Sequence, residues 1–84
     1  MNYRVILSRS ARKQMERFSG EIENRILDKL SELEMNPHPS GCKKLKNRDA
    51  WRIRVGDYRV IYEIYDKVLQ VIVVTVGHRR EVYR

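Results

Sequence analysis

Cysteine is almost missing from this chain: Cys42 stands alone, so no internal disulfide can form. With only His38 and His78 beside it, the ligands for a Cys/His metal cluster are lacking. Long apolar runs are missing as well. The opening "MNYRVILSRS" offers Val5, Ile6 and Leu7 before charge returns, too brief for the apolar segment of a signal peptide or for a membrane span. Together these absences predict a cytoplasmic protein. There is no internal repeat and no low-complexity tract, and the two prolines are confined to Pro37 and Pro39. Acid is in short supply: eleven Asp and Glu face eighteen Lys and Arg, a net charge of +7. Residues 1–41 carry seven basic and six acidic groups (+1), and residues 42–84 carry eleven and five (+6). Such an asymmetry is the electrostatic footprint of a polyanion partner, most often nucleic acid. At 84 residues the chain makes one domain, 1–84, with a modest core, so function must sit on its surface.

"YRVIL" (3–7) is β-branched and apolar and predicts an opening strand, after which Ser8 or Ser10 can cap a helix. Ala11, Met15 and Phe18 share one face of that helix before Ser19-Gly20 interrupts it. In "EIENRILDKLSELEM" (21–35), Ile22, Ile26, Leu30 and Leu33 form an apolar stripe that Leu27 widens. Glu21 and Glu23 sit where the helix dipole favours acid, and "NPHPSG" (36–41) ends the helix. "CKKLKNRDA" (42–50) reads as a loop. "WRIRV" (51–55), "YRVIYEIY" (58–65) and "VLQVIVVTV" (68–76) read as strands joined by two-residue turns at Gly56-Asp57 and Asp66-Lys67. The expected fold is α+β: a small single domain with an N-terminal strand and two helices. The helices pack on one face of a mainly antiparallel sheet completed by a C-terminal three-strand meander.

With the first turn at Gly56-Asp57, Arg54 faces Arg59, Arg52 faces Ile61 and Trp51 faces Tyr62. Strand alternation then puts Trp51, Ile53, Val55, Tyr58, Val60, Tyr62 and Ile64 under the helices and Arg52, Arg54 and Arg59 on the opposite face. Like charges directly opposite on neighbouring strands oppose folding by roughly 0.2–1 kcal/mol. An anion bridging the guanidiniums converts that repulsion into charge-assisted hydrogen bonds, and phosphate has the geometry that arginine matches. The competing reading lets these side chains lie over the sheet and reach water, or pair with Glu63. Lys43, Lys44, Lys46 and Arg48, in the segment leading into the hairpin, would extend a groove able to follow a phosphate backbone. On the last strand the same parity assigns Gln70, Ile72, Val74 and Val76 to the arginine face, leaving with Ile61 an apolar strip suited to a protein partner.

"VGHRREVYR" (76–84) gathers His78, Arg79, Arg80, Tyr83 and Arg84. Histidine can act as acid or base near neutral pH, arginine can stabilise charge developing on phosphorus, and a tyrosine beside cations can exchange a proton. As an ordinary basic tail the same residues would only contact nucleic acid. The acids of this half, Asp49, Asp57, Glu63, Asp66 and Glu81, are scattered singly, so no metal site and no cofactor are expected. Metal-free phosphoryl chemistry is feasible on RNA, whose 2′-hydroxyl is a built-in nucleophile that DNA lacks.

In length, element order and above all in "WRIRVGDYRVIYEI" and "VGHRREVY", the chain resembles the RelE-type toxins of toxin–antitoxin systems, within the RelE/ParE superfamily. The resemblance implies a RelE-like fold and ribosome-dependent cleavage of messenger RNA at the A-site codon. It also implies inhibition of translation and a partly disordered RelB-like antitoxin that folds onto the toxin. It matches basic family positions to Arg52, Arg54 and Arg59, the arginine beyond the last strand to Arg79, and the near-terminal tyrosine to Tyr83. Arg59 and Arg79 would neutralise the scissile phosphate. Tyr83 would stack on the reacting nucleotide or exchange a proton with it, and Arg52 and Arg54 would stabilise charge or transfer protons. Some members carry lysine at the last two positions, and arginine holds its proton more tightly. His78, or more weakly Glu81, then becomes a candidate for proton transfer. The implied partners are antitoxin, ribosome and mRNA, with no membrane and no small-molecule cofactor. Two other functions suit the same fold: a ParE-like toxin that poisons DNA gyrase, and a non-catalytic relative that only binds RNA or antitoxin.

Overall fold

The computed structural model describes residues 2–78. Strand β1 (Arg4–Leu7) leads directly into helix α1 (Arg9–Met15), whose N-cap is Ser8: its Oγ accepts the Ala11 N–H at 3.0 Å. The helix stops earlier than the apolar spacing through Phe18 predicts. Phe18 still reaches the core, edge-on against Tyr58 with ring centroids 4.9 Å apart. Ser19 caps helix α2 (Gly20–Met35), accepting the Ile22 N–H at 3.4 Å, and Glu21 and Glu23 occupy the first turn. Ile26, Leu30 and Leu33 are buried, whereas Leu27 stays 42% exposed.

Four further strands follow: β2 (Lys43–Lys44), β3 (Trp51–Val55), β4 (Tyr58–Tyr65) and β5 (Gln70–His78). Their order in the sheet is β1-β5-β4-β3-β2, with β1 parallel to β5 and the other neighbours antiparallel. Both helices pack on one face over a core of Ala11, Met15, Ile26, Leu30, Leu33, Ile53, Val60, Tyr62, Val71, Val73 and Val76. The Tyr62 hydroxyl, inside this core, donates to the Pro37 carbonyl oxygen at 2.8 Å and ties the α2–β2 connection to the sheet. Burial, with Cys42 nearby as the next cause, drives the Tyr62 pKa far upward and keeps it a neutral donor.

The β3–β4 hairpin has the expected register, Val55↔Tyr58 through Trp51↔Tyr62. Gly56 takes φ 60°, and Asp57 is not among the left-handed residues, the sign pattern of a type II′ turn that requires glycine first. The other expected two-residue turn does not form. Asp66-Lys67 contains no glycine, and the chain instead makes a 3-10 turn over Asp66–Val68, with Leu69 left-handed at φ 52°, so that β5 starts at Gln70. The Tyr3 hydroxyl donates to Asp66 at 2.6 Å and fastens this turn to the residue just before β1.

A bulge in β5 corrects the parity expected for that strand. Tyr62 pairs with Val73 but Ile61 pairs with Thr75, so Val74 is the extra residue and the alternation inverts beyond it. Val76 therefore points into the helix-side core at 1% exposure, and Thr75 and Gly77 take the arginine face. The apolar strip on that face thus loses Val76 and keeps Ile61, Ile72 and Val74, with Ile6 beside Ile72, and Ile61 is itself only 3% exposed. Here α1 takes over from the ended β1 as the neighbour of β5. The Ser8 Oγ donates to the Val74 carbonyl at 3.1 Å, and the Gln14 Oε1 accepts the Val76 N–H at 2.7 Å.

Candidate nucleic-acid interface

The sheet face away from the helices carries the basic residues in rows fixed by strand pairing. One row runs Lys43, Arg52, Ile61, Thr75, and the next runs Arg54, Arg59, Gly77. In a two-residue hairpin the closing pair, Val55 and Tyr58, exchanges hydrogen bonds, so the next pair out is of the non-hydrogen-bonded kind, in which side chains approach most closely. That next pair is Arg54 and Arg59. Arg54 is exposed, Arg59 and Arg52 are half-buried, and the Arg52 Nε is buried.

Glu63 is the only acid at a strand position of this face among the described residues. Its carboxylate pairs with Arg48 at 3.6 Å and accepts a 2.6 Å hydrogen bond from Tyr65, whose pKa is raised chiefly by that bond. Arg48 is thereby drawn to the arginine face from the β2–β3 loop. Lys44 instead pairs with Asp49 at 3.5 Å and, opposite Trp51, belongs to the helix side; Lys46 is exposed in the loop. The segment 42–50 is thus not wholly a loop, since Lys43–Lys44 forms a short edge strand and the Leu45 N–H bonds the Ala50 carbonyl at 2.9 Å.

His78 lies on the opposite side of the sheet from the arginines. It pairs with Tyr58 and stacks edge-on against that ring at 5.7 Å, an orientation that follows from the Val74 bulge. Arg79, Arg80, Tyr83 and Arg84 lie outside the described residues. Among the described residues no three His, Cys, Asp or Glu side chains come together as a metal-binding group, and no helix is long and apolar enough to cross a membrane.

Where β2 parts from β3, a cleft of about 270 Å3 opens at the sheet edge, lined by Lys29, Ser40, Gly41, Lys43, Ile53 and the two arginines of β3, Arg52 and Arg54. Lys29 was not anticipated from the sequence. It sits one residue before Leu30 on α2, at the border of the apolar stripe, and such border lysines commonly lay their stem along the core and present the charge at its edge.

Comparison with known proteins agrees with this architecture. The family model for the ParE toxin of type II toxin–antitoxin systems matches residues 5–83. A protein of Escherichia coli described as a RelE-like toxin is 30% identical over 81 residues, spanning 94% of this chain and 85% of that protein. The archaeal RelE–RelB complex from Pyrococcus horikoshii OT3 contains a chain that superposes with a TM-score of 0.85 at 28% identity, covering 98% of this chain and 100% of that one. The isolated RelE toxin of E. coli gives 0.80 at 26% identity, covering 96% and 90%. Two helices on a five-stranded mixed sheet with a basic open face therefore define a toxin of the type II class. The chain belongs to the ParE toxin family of type II toxin–antitoxin systems and is a toxin of the RelE type.

Proposed function

We propose that this toxin is a ribosome-dependent, metal-independent endoribonuclease that cuts mRNA in the A site and so inhibits translation, with residues 1–84 acting as one toxin domain in the cytoplasm. The observation that carries the reading is the convergence of Arg52, Arg54 and Arg59 on one sheet face whose only strand acid among the described residues, Glu63, is engaged with Arg48 and Tyr65. Holding like charges together works against folding, and a phosphate between them reverses the sign of that interaction.

In the proposed reaction the 2′-hydroxyl of one nucleotide gives up its proton to a base and its oxygen bonds to the adjacent phosphorus. The bond from phosphorus to the 5′-oxygen of the next nucleotide breaks, and that oxygen takes up a proton. Arg59 and Arg79 neutralise the phosphate, Arg52 and Arg54 stabilise the charge that builds in the transition state, and Tyr83 stacks on the reacting nucleotide or exchanges its proton. With His78 directed to the helix side against Tyr58, proton transfer falls first to the residues of the arginine face and to Tyr83. The E. coli and archaeal RelE relatives form complexes with RelB, and a RelB-like antitoxin covering the arginine face is the partner proposed here. Lys43, Lys46, Arg48, Arg80 and Arg84 supply further backbone contacts to RNA.

Primer extension on a defined message, held on ribosomes with an empty A site and compared with the naked message, tests the reading. Cuts confined to the A-site codon are expected. The match to the ParE toxin model supports a second reading, a gyrase poison. Growth arrest without cuts, together with loss of gyrase supercoiling, decides for that one.

A further inference from the structure

We propose that the cleft at the outer edge of β3 is a second phosphate subsite, which holds a backbone phosphate of the same RNA strand a short distance from the one on the arginine face. The inference rests on the RNA reading of that face, and it adds Lys29 of α2 and the Ser40–Gly41 turn to the interface. Three features of the cleft carry it.

The first is charge. Lys29, Lys43, Arg52 and Arg54 line a space of about 270 Å3, and no acid is among its lining residues. Lys29, half-buried at the border of α2, also contacts Glu32 at 3.6 Å, but Glu32 is largely exposed and does not line the cleft, so water weakens that pairing. The second is backbone geometry. Because Arg54 and Arg59 form a non-hydrogen-bonded pair, the Arg54 main-chain N–H points away from β4, to the outer edge. Strand β2 pairs only with Trp51 and Arg52 and does not extend to Arg54. Continuing the register would bring Gly41 opposite Arg54, but Gly41 takes φ 91° and the chain turns away, closed by a 3.1 Å bond from the Cys42 N–H to the Pro39 carbonyl. The third is room. A Cβ built on Gly41 meets nothing within 4 Å, so there is open space beside this turn.

The cleft thus brings four basic residues, Ser40 and an outward main-chain N–H to one edge, a set of residue types suited to a phosphodiester oxygen. It is continuous with the open face through Arg52 and Arg54, which belong to both. One strand of RNA can therefore rest one phosphate against Arg59 and pass another around the edge of β3 to Lys29.

The test uses the full-length toxin without ribosomes and two labelled, 2′-O-methylated oligoribonucleotides that cannot be cut, a trimer and a hexamer, read by fluorescence anisotropy. For single strands each phosphate contact contributes about 0.7 to the slope of log affinity against log salt, so a fourfold rise in salt costs about 2.6-fold per contact. Lys29→Gln is expected to weaken the hexamer and reduce its fourfold-salt effect by about 2.6-fold, while leaving the trimer and the melting temperature as in the wild type. Lys29→Arg is expected to restore the hexamer. Equal salt slopes for wild type and Lys29→Gln, equal losses on both oligonucleotides, or no hexamer binding by the wild type at low salt would each overturn the subsite. So would a Lys29→Gln effect confined to polyglutamate, which would assign the cleft to an acidic protein segment. A Lys29-dependent hexamer without cleavage of ribosome-bound message leaves the subsite standing and removes the nuclease; cleavage with an indifferent Lys29 does the reverse.

Discussion

The Arg54/Arg59 pair predicts that this toxin becomes more stable when part of its proposed site is removed. The two residues are directly opposite across the hairpin, in the pairing class with the closest side chains. Like-charge pairs of this kind cost roughly 0.2–1 kcal/mol. Arg54→Gln removes the repulsion at an exposed position that contributes no buried apolar surface, and Arg54→Glu replaces it with an attraction of similar size. For 84 residues the unfolding entropy near the midpoint is about 0.18 kcal/mol/K. Arg54→Gln should therefore raise Tm by about 1–6 °C in low salt, and Arg54→Glu by up to about twice that. Salt near 1 M, where the Debye length shrinks to about 3 Å, should erase most of the difference. Calorimetry or circular dichroism melts of the three proteins at low and high salt would measure this, with ribosome-dependent cleavage assayed in parallel. A low-salt Tm for Arg54→Gln at or below that of the wild type would refute the view that the arginine face is held together against its own charge.

Other expectations follow from the same structure. Arg59→Ala should reduce A-site cleavage by about 100-fold or more, as loss of one preorganised charge-stabilising donor typically does, while circular dichroism stays native. Tyr62→Phe should lower stability by about 0.5–1.5 kcal/mol in denaturant titration, since it removes the buried bond to Pro37. The same variant should blunt the alkaline sensitivity of the protein. The folded pKa of Tyr62 lies above its ordinary value of 10.0, so the unfolded chain releases that proton first. Stability is then complete below pH 10 and falls as pH rises beyond it, by at most about 1.4 kcal/mol per unit, and the wild type should lose more between neutral pH and pH 11 than Tyr62→Phe. Gln14→Leu should cost about 1–3 kcal/mol, because the Val76 N–H next to the bulge loses its acceptor; faster amide exchange at Val76 would locate the damage.

Much of this protein was determined locally. The alternation in "WRIRVGDYRVIY" and the glycine that opens its turn specify the hairpin register, and the register alone places Arg52, Arg54 and Arg59 on one face. The apolar spacing of α2 likewise specified Ile26, Leu30 and Leu33 as its buried face. The tertiary structure decided what depends on neighbours distant in sequence. The parallel pairing of β1 with β5 carries no local signature. The Val74 bulge arises where α1, through Ser8 and Gln14, takes over from β1 along the edge of β5, and the even-looking run "VLQVIVVTV" does not reveal it. That single extra residue turns Val76 inward and His78 toward Tyr58, away from the arginines. Lys29 joins the basic surface for the same reason: its proximity to Lys43 and Arg54 is created by packing α2 across the sheet, and helix periodicity can mark it only as a border residue.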